Sequence, residues 1–285
     1  LPRPSAPPPT VGLSAAAGAP GCSTESSNPA VVSRISSVPG GHVIYKPVRG
    51  ERPLWDFPDG TLAGREVAAQ VVSELGGWGV VPPTVMRDGP LGPGSVQLWI
   101  GNPFDPVADD RVVDLVPEGR TPDGWRAVLD GETPGGASVT VVHSGADDVR
   151  SLAVLDAALN NSDRKGSHCL RDADGRLWAI DHGVTFSPTP KLRTVLWGWA
   201  GEPFTEDDTR RLRRLLQGLR GLSRDRLGAS RRGQRKGGLR LGHGHIGDLF
   251  RECRIACRHH GRLLGRGLRR IDDGGRLAIR GSAYV

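Results

Sequence analysis

The run Asp147 to Asn160, DDVRSLAVLDAALN, is the strongest amphipathic pattern in this chain, and together with the short hairpin pattern on its C-terminal side it admits few folds. Leu152, Leu155, Ala158 and Leu159 fall on one face, so the helix has to bury a stripe against other elements. Directly after it, Cys169 and Leu170, the turn Asp172 to Gly175, and Leu177 to Ile180 read as a short β-hairpin. Two polar loops leave that hairpin on the same side, Asn160 to His168 (NNSDRKGSH) and Ala179 to Gly183 (AIDHG).

Upstream, Ala30 to Ile35 and His42 to Lys46 are β-rich runs joined through Val38, Pro39, Gly40 and Gly41, a hairpin pattern. Arg65 to Leu75 has helical spacing, with Thr61 near its start and Gly76 and Gly77 at its stop. Further strands are expected at Thr84 to Arg87 and Val96 to Ile100, separated by the turn signal DGPLGPG. The expected product is an antiparallel sheet with one inserted helix.

Charge divides the chain. Residues 218–285 hold 17 Lys and Arg against 5 Asp and Glu, while the other 217 residues hold 21 against 26, so the whole basic excess lies in the last segment. That segment carries 15 Gly and no sustained hydrophobic period, and it reads as an irregular basic tail. Its Arg and Gly content is also what a shifted reading frame of GC-rich DNA yields. Residues 1–21, Pro- and Ala-rich, read as a disordered leader that leaves the true N-terminus open. Residues 22–217 are then the folded domain. No apolar run approaches the roughly 18 residues that cross a bilayer, and the start lacks a secretory signal. Four scattered cysteines, Cys22, Cys169, Cys253 and Cys257, fit free thiols in a reducing compartment. A soluble, cytoplasmic protein is the expectation.

The two loops carry the chemistry. Asp163 and Asp181 stand at the two bases of the hairpin, where one carboxylate can orient an acceptor hydroxyl while the other holds a divalent metal. Lys46 ends a strand and Glu66 lies on the next helix, the arrangement of an ion pair that aims an ammonium at nucleotide phosphates. Ser26, Ser27 and Asn28 open the first strand, where hydroxyls and backbone N–H groups could cover phosphates.

Taken in order, the segments SSNPAVV, YKPVRGERPLWDFPDGTLAGREVAA, GWGVVPPTVMRDGPLGPGSVQLWI, VLDAALNNSDRKGSHCL, WAIDHGVTF and PKLRTVLWGWAGEPF resemble the phosphatidylinositol 3- and 4-kinase-like family. The flavour is that of the type II 4-kinases and of actinobacterial kinase-related proteins. The resemblance covers about residues 22–217. It implies an α+β, two-lobed protein-kinase-like fold, with an antiparallel N-lobe sheet and one helix over 22–101 and a mainly helical C-lobe over 102–217. It implies ATP with Mg²⁺ or Mn²⁺ as cofactors and γ-phosphate transfer to a hydroxyl acceptor on a lipid, a small molecule or a protein. Position by position, Lys46 resembles the phosphate-binding lysine, Glu66 its helix partner, Asp163 the catalytic aspartate and Asp181 the metal aspartate. Val96 to Gly101 resembles the strand leading to the adenine hinge, which makes Leu98 and Ile100 nucleotide contacts. The kinase template has Asn as a metal ligand five residues after the catalytic aspartate; here that position is His168, a candidate second metal ligand.

Plainer readings compete. Asp163 beside Arg164 can be a loop salt bridge, Lys46 a surface lysine, and Trp197 and Trp199 core anchors rather than a lipid wedge. A pseudokinase that binds nucleotide as a regulatory module is the rival favoured by His168, and a nucleic-acid-associated protein is the rival favoured by the tail. Within the tail, Gly242 to Gly247 matches G-x-G-x-x-G without a βαβ context, and Cys253, Cys257, His259 and His260 lack zinc-finger spacing.

Overall fold

Peptide-group pairing organises the first half of the chain more than burial does. In the computed structural model, which describes residues 13–15, 31–35, 41–101 and 111–229, a five-stranded antiparallel sheet has the order β1-β2-β3-β5-β4. Its strands are β1 (Leu13–Ala15), β2 (Val31–Ile35), β3 (His42–Pro47), β4 (Thr84–Gly89) and β5 (Gly92–Leu98), and helix α1 (Leu62–Gly76) is inserted between β3 and β4. The two runs read as a hairpin pair antiparallel as β2 and β3, with Arg34 opposite His42 and Val31 opposite Tyr45. Within the segment read as a leader, residues 13–15 form β1, with Leu13 paired to Ile35 and Ala15 to Ser33. The rest of that leader, the loop Val38 to Gly40, and the tail beyond Ala229 with its glycine motif and its Cys and His residues lie outside the described residues.

The β4–β5 turn is tighter than DGPLGPG suggests. Gly89 pairs with Gly92, leaving only Pro90 and Leu91 in the loop, so the glycines and Pro93 belong to strands. Tyr45 is the reason. Its ring is buried with Val43 and Val96, its hydroxyl donates to Gly92 O at 2.6 Å, and a Cβ at Gly89 would sit 2.6 Å from its Cζ. At Gly94 a Cβ would meet Lys46 O at 2.5 Å, so glycine there lets β5 close on the strand that carries Lys46. β5 ends at Leu98, and Ile100 lies beyond it.

Helix α1 begins three residues before its expected start because Glu51 caps it from outside. The Glu51 carboxylate accepts the N–H groups of Leu62 (3.1 Å) and Ala63 (2.9 Å), while Thr61 Oγ1 donates to Pro58 O. The helix stops at Gly77, whose φ of 78° is left-handed.

The described residues of 102–217 are not mainly helical, contrary to what the resemblance implies. They contain a three-stranded antiparallel sheet of order β6-β8-β7, from β6 (Val113–Pro117), β7 (Trp125–Glu132) and β8 (Ser138–Ser144). The β-branched run SVTVVHS and the turns TPDG and TPGG dictate that hairpin. After it come α2 (Asp147–Leu159), β9 (Cys169–Arg171) paired with β10 (Leu177–Ala179), and α3 (Glu206–Ala229). The fold is mixed α and β, with small antiparallel sheets and three helices among the described residues.

The principal core lies around α2, not inside the first sheet. Leu152, Leu155 and Leu159 pack with Ala69 and Val72 of α1, Cys169 and Leu177 of the hairpin, and Leu215 and Leu219 of α3. Each buried leucine contributes about 1.5–3 kcal/mol relative to exposure. Because Leu219 is in that core, α3 runs straight through position 217, where the composition shift suggests a boundary. Gly218 permits the approach: a Cβ there would stand 2.9 Å from Leu75 Cδ2. Trp199 is a core anchor, whereas Trp197 is half-buried beside it. No described helix is long and apolar enough to cross a membrane.

His143 on β8 links this core to the Trp197–Trp199 loop. Its Nδ1 donates to Ser144 O, its Nε2 accepts the Gly198 N–H at 2.9 Å, and its ring lies 4.6 Å from that of Trp199. Burial pushes the imidazole below its ordinary range despite the Ser144 bond, and the Arg126 charge adds to the effect. A group with a lowered folded-state pKa binds its proton preferentially when unfolded, so stability falls as pH drops below about 6.5. The urea midpoint should therefore decline from pH 7.5 toward pH 5, and His143→Gln should decline less steeply. Parallel slopes in the two proteins would assign the acid loss elsewhere.

Candidate functional site

Lys46 joins two distant segments. From the end of β3 its Nζ donates to Glu66 Oε1 at 2.7 Å and to Asp181 Oδ1 at 3.0 Å. Glu66, buried on α1, uses its other oxygen to accept the His182 N–H at 2.9 Å. Arg65, the residue before it, donates to the carbonyls of Thr185 (2.5 Å) and Phe186 (3.1 Å). Two consecutive side chains thus fasten α1 to the segment after β10. Asp181 itself has φ 60°, the left-handed region that aspartate tolerates better than most residues, and 48 % of its side chain stays accessible.

The loop after α2 is fixed from beneath. Asp156, fully buried on α2, accepts Arg164 Nε at 3.0 Å and Arg164 Nη2 at 2.9 Å, with Asn161 Nδ2 and Thr194 Oγ1 filling its remaining positions. Arg164 then reaches both flanks of Asp181: Nη1 donates to Ile180 O at 2.9 Å and Nη2 to His182 Nε2 at 2.7 Å. Asp163, one residue before this arginine, has its N–H on Asn161 Oδ1 and its carboxylate 3.4 Å from Lys165 Nζ. Its side chain is 47 % exposed, open to a reactant. Asn160 ends α2 at φ 50° and holds the facing segment by donating to Ser187 O and Thr189 O.

His168 falls on the same cluster. Its Nδ1 faces the Lys165 N–H at 3.4 Å and its Nε2 faces Asp181 Oδ2 at 3.3 Å. With Nδ1 as acceptor, the proton lies on Nε2, which stands 3.3 Å from Asp181 Oδ2. Burial keeps His168 below the usual imidazole range, against the pull of Asp181. His182, completely buried, is held well below that range by burial and by Arg164. For Lys46, burial opposes the charge, but Glu66 and then Asp181 outweigh it and hold the ammonium above its ordinary value. For Asp181, desolvation likewise opposes the charge, but Lys46 outweighs it and keeps the carboxyl well below its usual range. Both are charged at neutral pH.

The structure therefore brings together Lys46, Glu66, Asp181 and His168, with Asp163 on the adjoining loop. Leu98 is half-buried at the end of β5 opposite Val43, and Ile100 is half-buried after it. Ser26, Ser27 and Asn28 lie outside the described residues. Asp156 and His182 are buried residues that sequence reasoning passes over, and Arg164, read as a salt-bridge partner of Asp163, pairs with Asp156 instead. One signal is present: an aspartate in the otherwise apolar stretch VLDAAL of an amphipathic helix needs a buried partner. Cys169 is buried beneath this loop, and burial pushes its thiol up to about 12.

No family model matches the chain. It is similar to Protein Rv2133c of Mycobacterium tuberculosis. The two are 48% identical over 194 residues, and the match spans 66% of this chain and 66% of that relative, just under two thirds of each.

Proposed function

We propose that this protein is an ATP-dependent phosphotransferase of the phosphatidylinositol 3-/4-kinase-like type, with a two-lobed kinase-like arrangement of the elements described above. The observation that carries the reading is the position of Lys46, which bridges Glu66 at 2.7 Å and Asp181 at 3.0 Å from 20 and 135 residues away. Phosphoryl transfer of the protein-kinase type uses a lysine held by a helix glutamate beside an aspartate that takes the metal, because catalysis there is mostly positioning and charge neutralisation.

Lys46 would contact the nucleotide phosphates, with Glu66 fixing its direction. Mg²⁺ is usually held by one or two carboxylates together with waters and phosphate oxygens. Among the described residues no three metal-ligating side chains form a cage, and the ionised, half-exposed Asp181 fits that sparse requirement. A Mg²⁺ or Mn²⁺ ion, when bound, would neutralise phosphate charge. Asp163 would orient the acceptor hydroxyl and take its proton. Leu98 and Ile100 would border the adenine. A second reading, a nucleotide-binding module without transfer, is favoured by His168, a neutral imidazole where the kinase template has an asparagine ligand.

The test is thermal. A ligand selective for the folded state at a hundred times its Kd adds about 2.7 kcal/mol, which raises Tm by several degrees in a chain of this size. ATP with Mg²⁺ should produce that shift in the full chain, and Lys46→Ala and Asp181→Asn should each remove most of it. An equal shift in the wild type and both variants would place nucleotide binding elsewhere.

A further inference from the structure

We propose that the solvent face of α3 is a binding surface for the phosphate backbone of nucleic acid. The helix has two unlike sides. Leu215 and Leu219 are in the core and Leu212 packs against it, whereas Arg210, Arg213, Arg214, Gln217 and Arg220 are exposed. Asp207 takes two of the cations on this helix, pairing with Arg210 and with Arg211, and Arg211 also donates to Gly77 O. Arg214 lies over the Gly77 turn, where a Cβ would be 2.6 Å from its Nη1. Among the described residues, Arg213, Arg214 and Arg220 have no carboxylate within ion-pair distance, although exposed Glu206 borders the groove that Arg213 and Arg214 help to line. That groove, about 790 Å³, adds the hydroxyls of Thr205 and Thr209 to the guanidinium groups.

Three guanidinium groups on one helix face, none of them matched by a described carboxylate, suit an anion that repeats. Arg213 to Arg220 spans about 10 Å of helix, a length over which a duplex presents about six phosphates. Guanidinium groups bind phosphate through paired N–H donors. The chain that continues from this face has the same sign: residues 222–285 hold 16 Lys and Arg against 5 Asp and Glu. A lipid surface fits less well. Helices that lie on membranes insert their apolar side, and the leucines of α3 are already committed to the core.

The experiment measures duplex affinity for the full chain against salt, because each neutralised phosphate adds about 0.9 to the log–log slope. Arg213→Gln, Arg214→Gln and Arg220→Gln combined should make that slope shallower by about 2.7, so a fourfold rise in salt costs the variant about 40-fold less affinity than it costs the wild type. The single Arg213→Gln and Arg220→Gln variants should each remove about 0.9. The corresponding triple Lys variant should keep the wild-type slope, and since Gln and Lys are both good helix formers, Tm should not move. A triple Gln variant with the wild-type slope would overturn the proposal, leaving any binding to residues 222–285. So would loss of binding to phosphatidylserine vesicles in that variant with duplex binding unchanged.

Discussion

Asp156→Ala is expected to lower the unfolding free energy by about 3–5 kcal/mol, the usual cost of removing one member of a buried ion pair. Asp156 and Arg164 are both fully buried, and the carboxylate also receives Asn161 and Thr194, so its loss strands a guanidinium, an amide and a hydroxyl away from water. Against a total of about 5–15 kcal/mol for a domain, this leaves a marginal fold, and Tm should drop by about 6–20 °C. Urea denaturation of wild type and variant checks the first figure. The informative partner is the double variant Asp156→Leu with Arg164→Met. Well-packed apolar replacements of a buried pair are often neutral or stabilising, so this protein should recover much of the lost stability. It should not recover the site, because Arg164 holds the Ile180 carbonyl and His182 on either side of Asp181. Stability restored together with a wild-type ATP-induced Tm shift would show that the arginine serves packing alone.

The same pair marks what a linear reading can and cannot supply. Lys46, Asp163 and Asp181 stand out because each ends or follows a recognisable element, and Glu66 because it lies near the start of the helix after Lys46. The geometry brings Lys46, Glu66 and Asp181 into contact, and neither periodicity nor spacing encodes those distances. Asp156 and Arg164 are eight positions apart and each looks ordinary: an aspartate on a helix, an arginine in a loop. Their meaning depends on burial, which exists only after α1, α2 and α3 have packed. The strands β6, β7 and β8 escape a linear reading for a different reason. β6 and β7 lie beside proline- and glycine-rich turns and leave much of their surface exposed, so of the three only β8, in SVTVVHS, carries a run that marks a strand. Glu51 belongs to the first kind of difficulty, since a cap contributed from eleven residues upstream leaves no mark in the residues flanking α1.

Asp163→Asn is expected to leave ATP-dependent stabilisation in place while reducing phosphate transfer by about 10²–10⁴-fold, the range that a positioned general base contributes. The separation comes from where the carboxylate stands. Asp163 makes no bond to Lys46, Glu66 or Asp181; its nearest charged partner is Lys165 at 3.4 Å, and about half of its surface is open. Asparagine has the same shape and keeps the loop, because the backbone N–H of residue 163 still reaches Asn161 Oδ1 and Arg164 still reaches Asp156. The substitution removes the ability to accept a proton from a hydroxyl. Lys46→Ala should behave oppositely, weakening nucleotide binding and transfer together, so the two variants form a pair whose kcat and KM effects diverge. Incubation of the full chain with γ-labelled ATP, Mg²⁺ or Mn²⁺, and lipid, protein and small-molecule acceptors reads both quantities. Transfer by the wild type that persists undiminished in Asp163→Asn would remove Asp163 from the chemistry. Nucleotide-dependent stabilisation of the wild type without transfer to any acceptor, and with Asp163→Asn indistinguishable from it, would decide for the binding module, with His168 beside Asp181 as the structural reason.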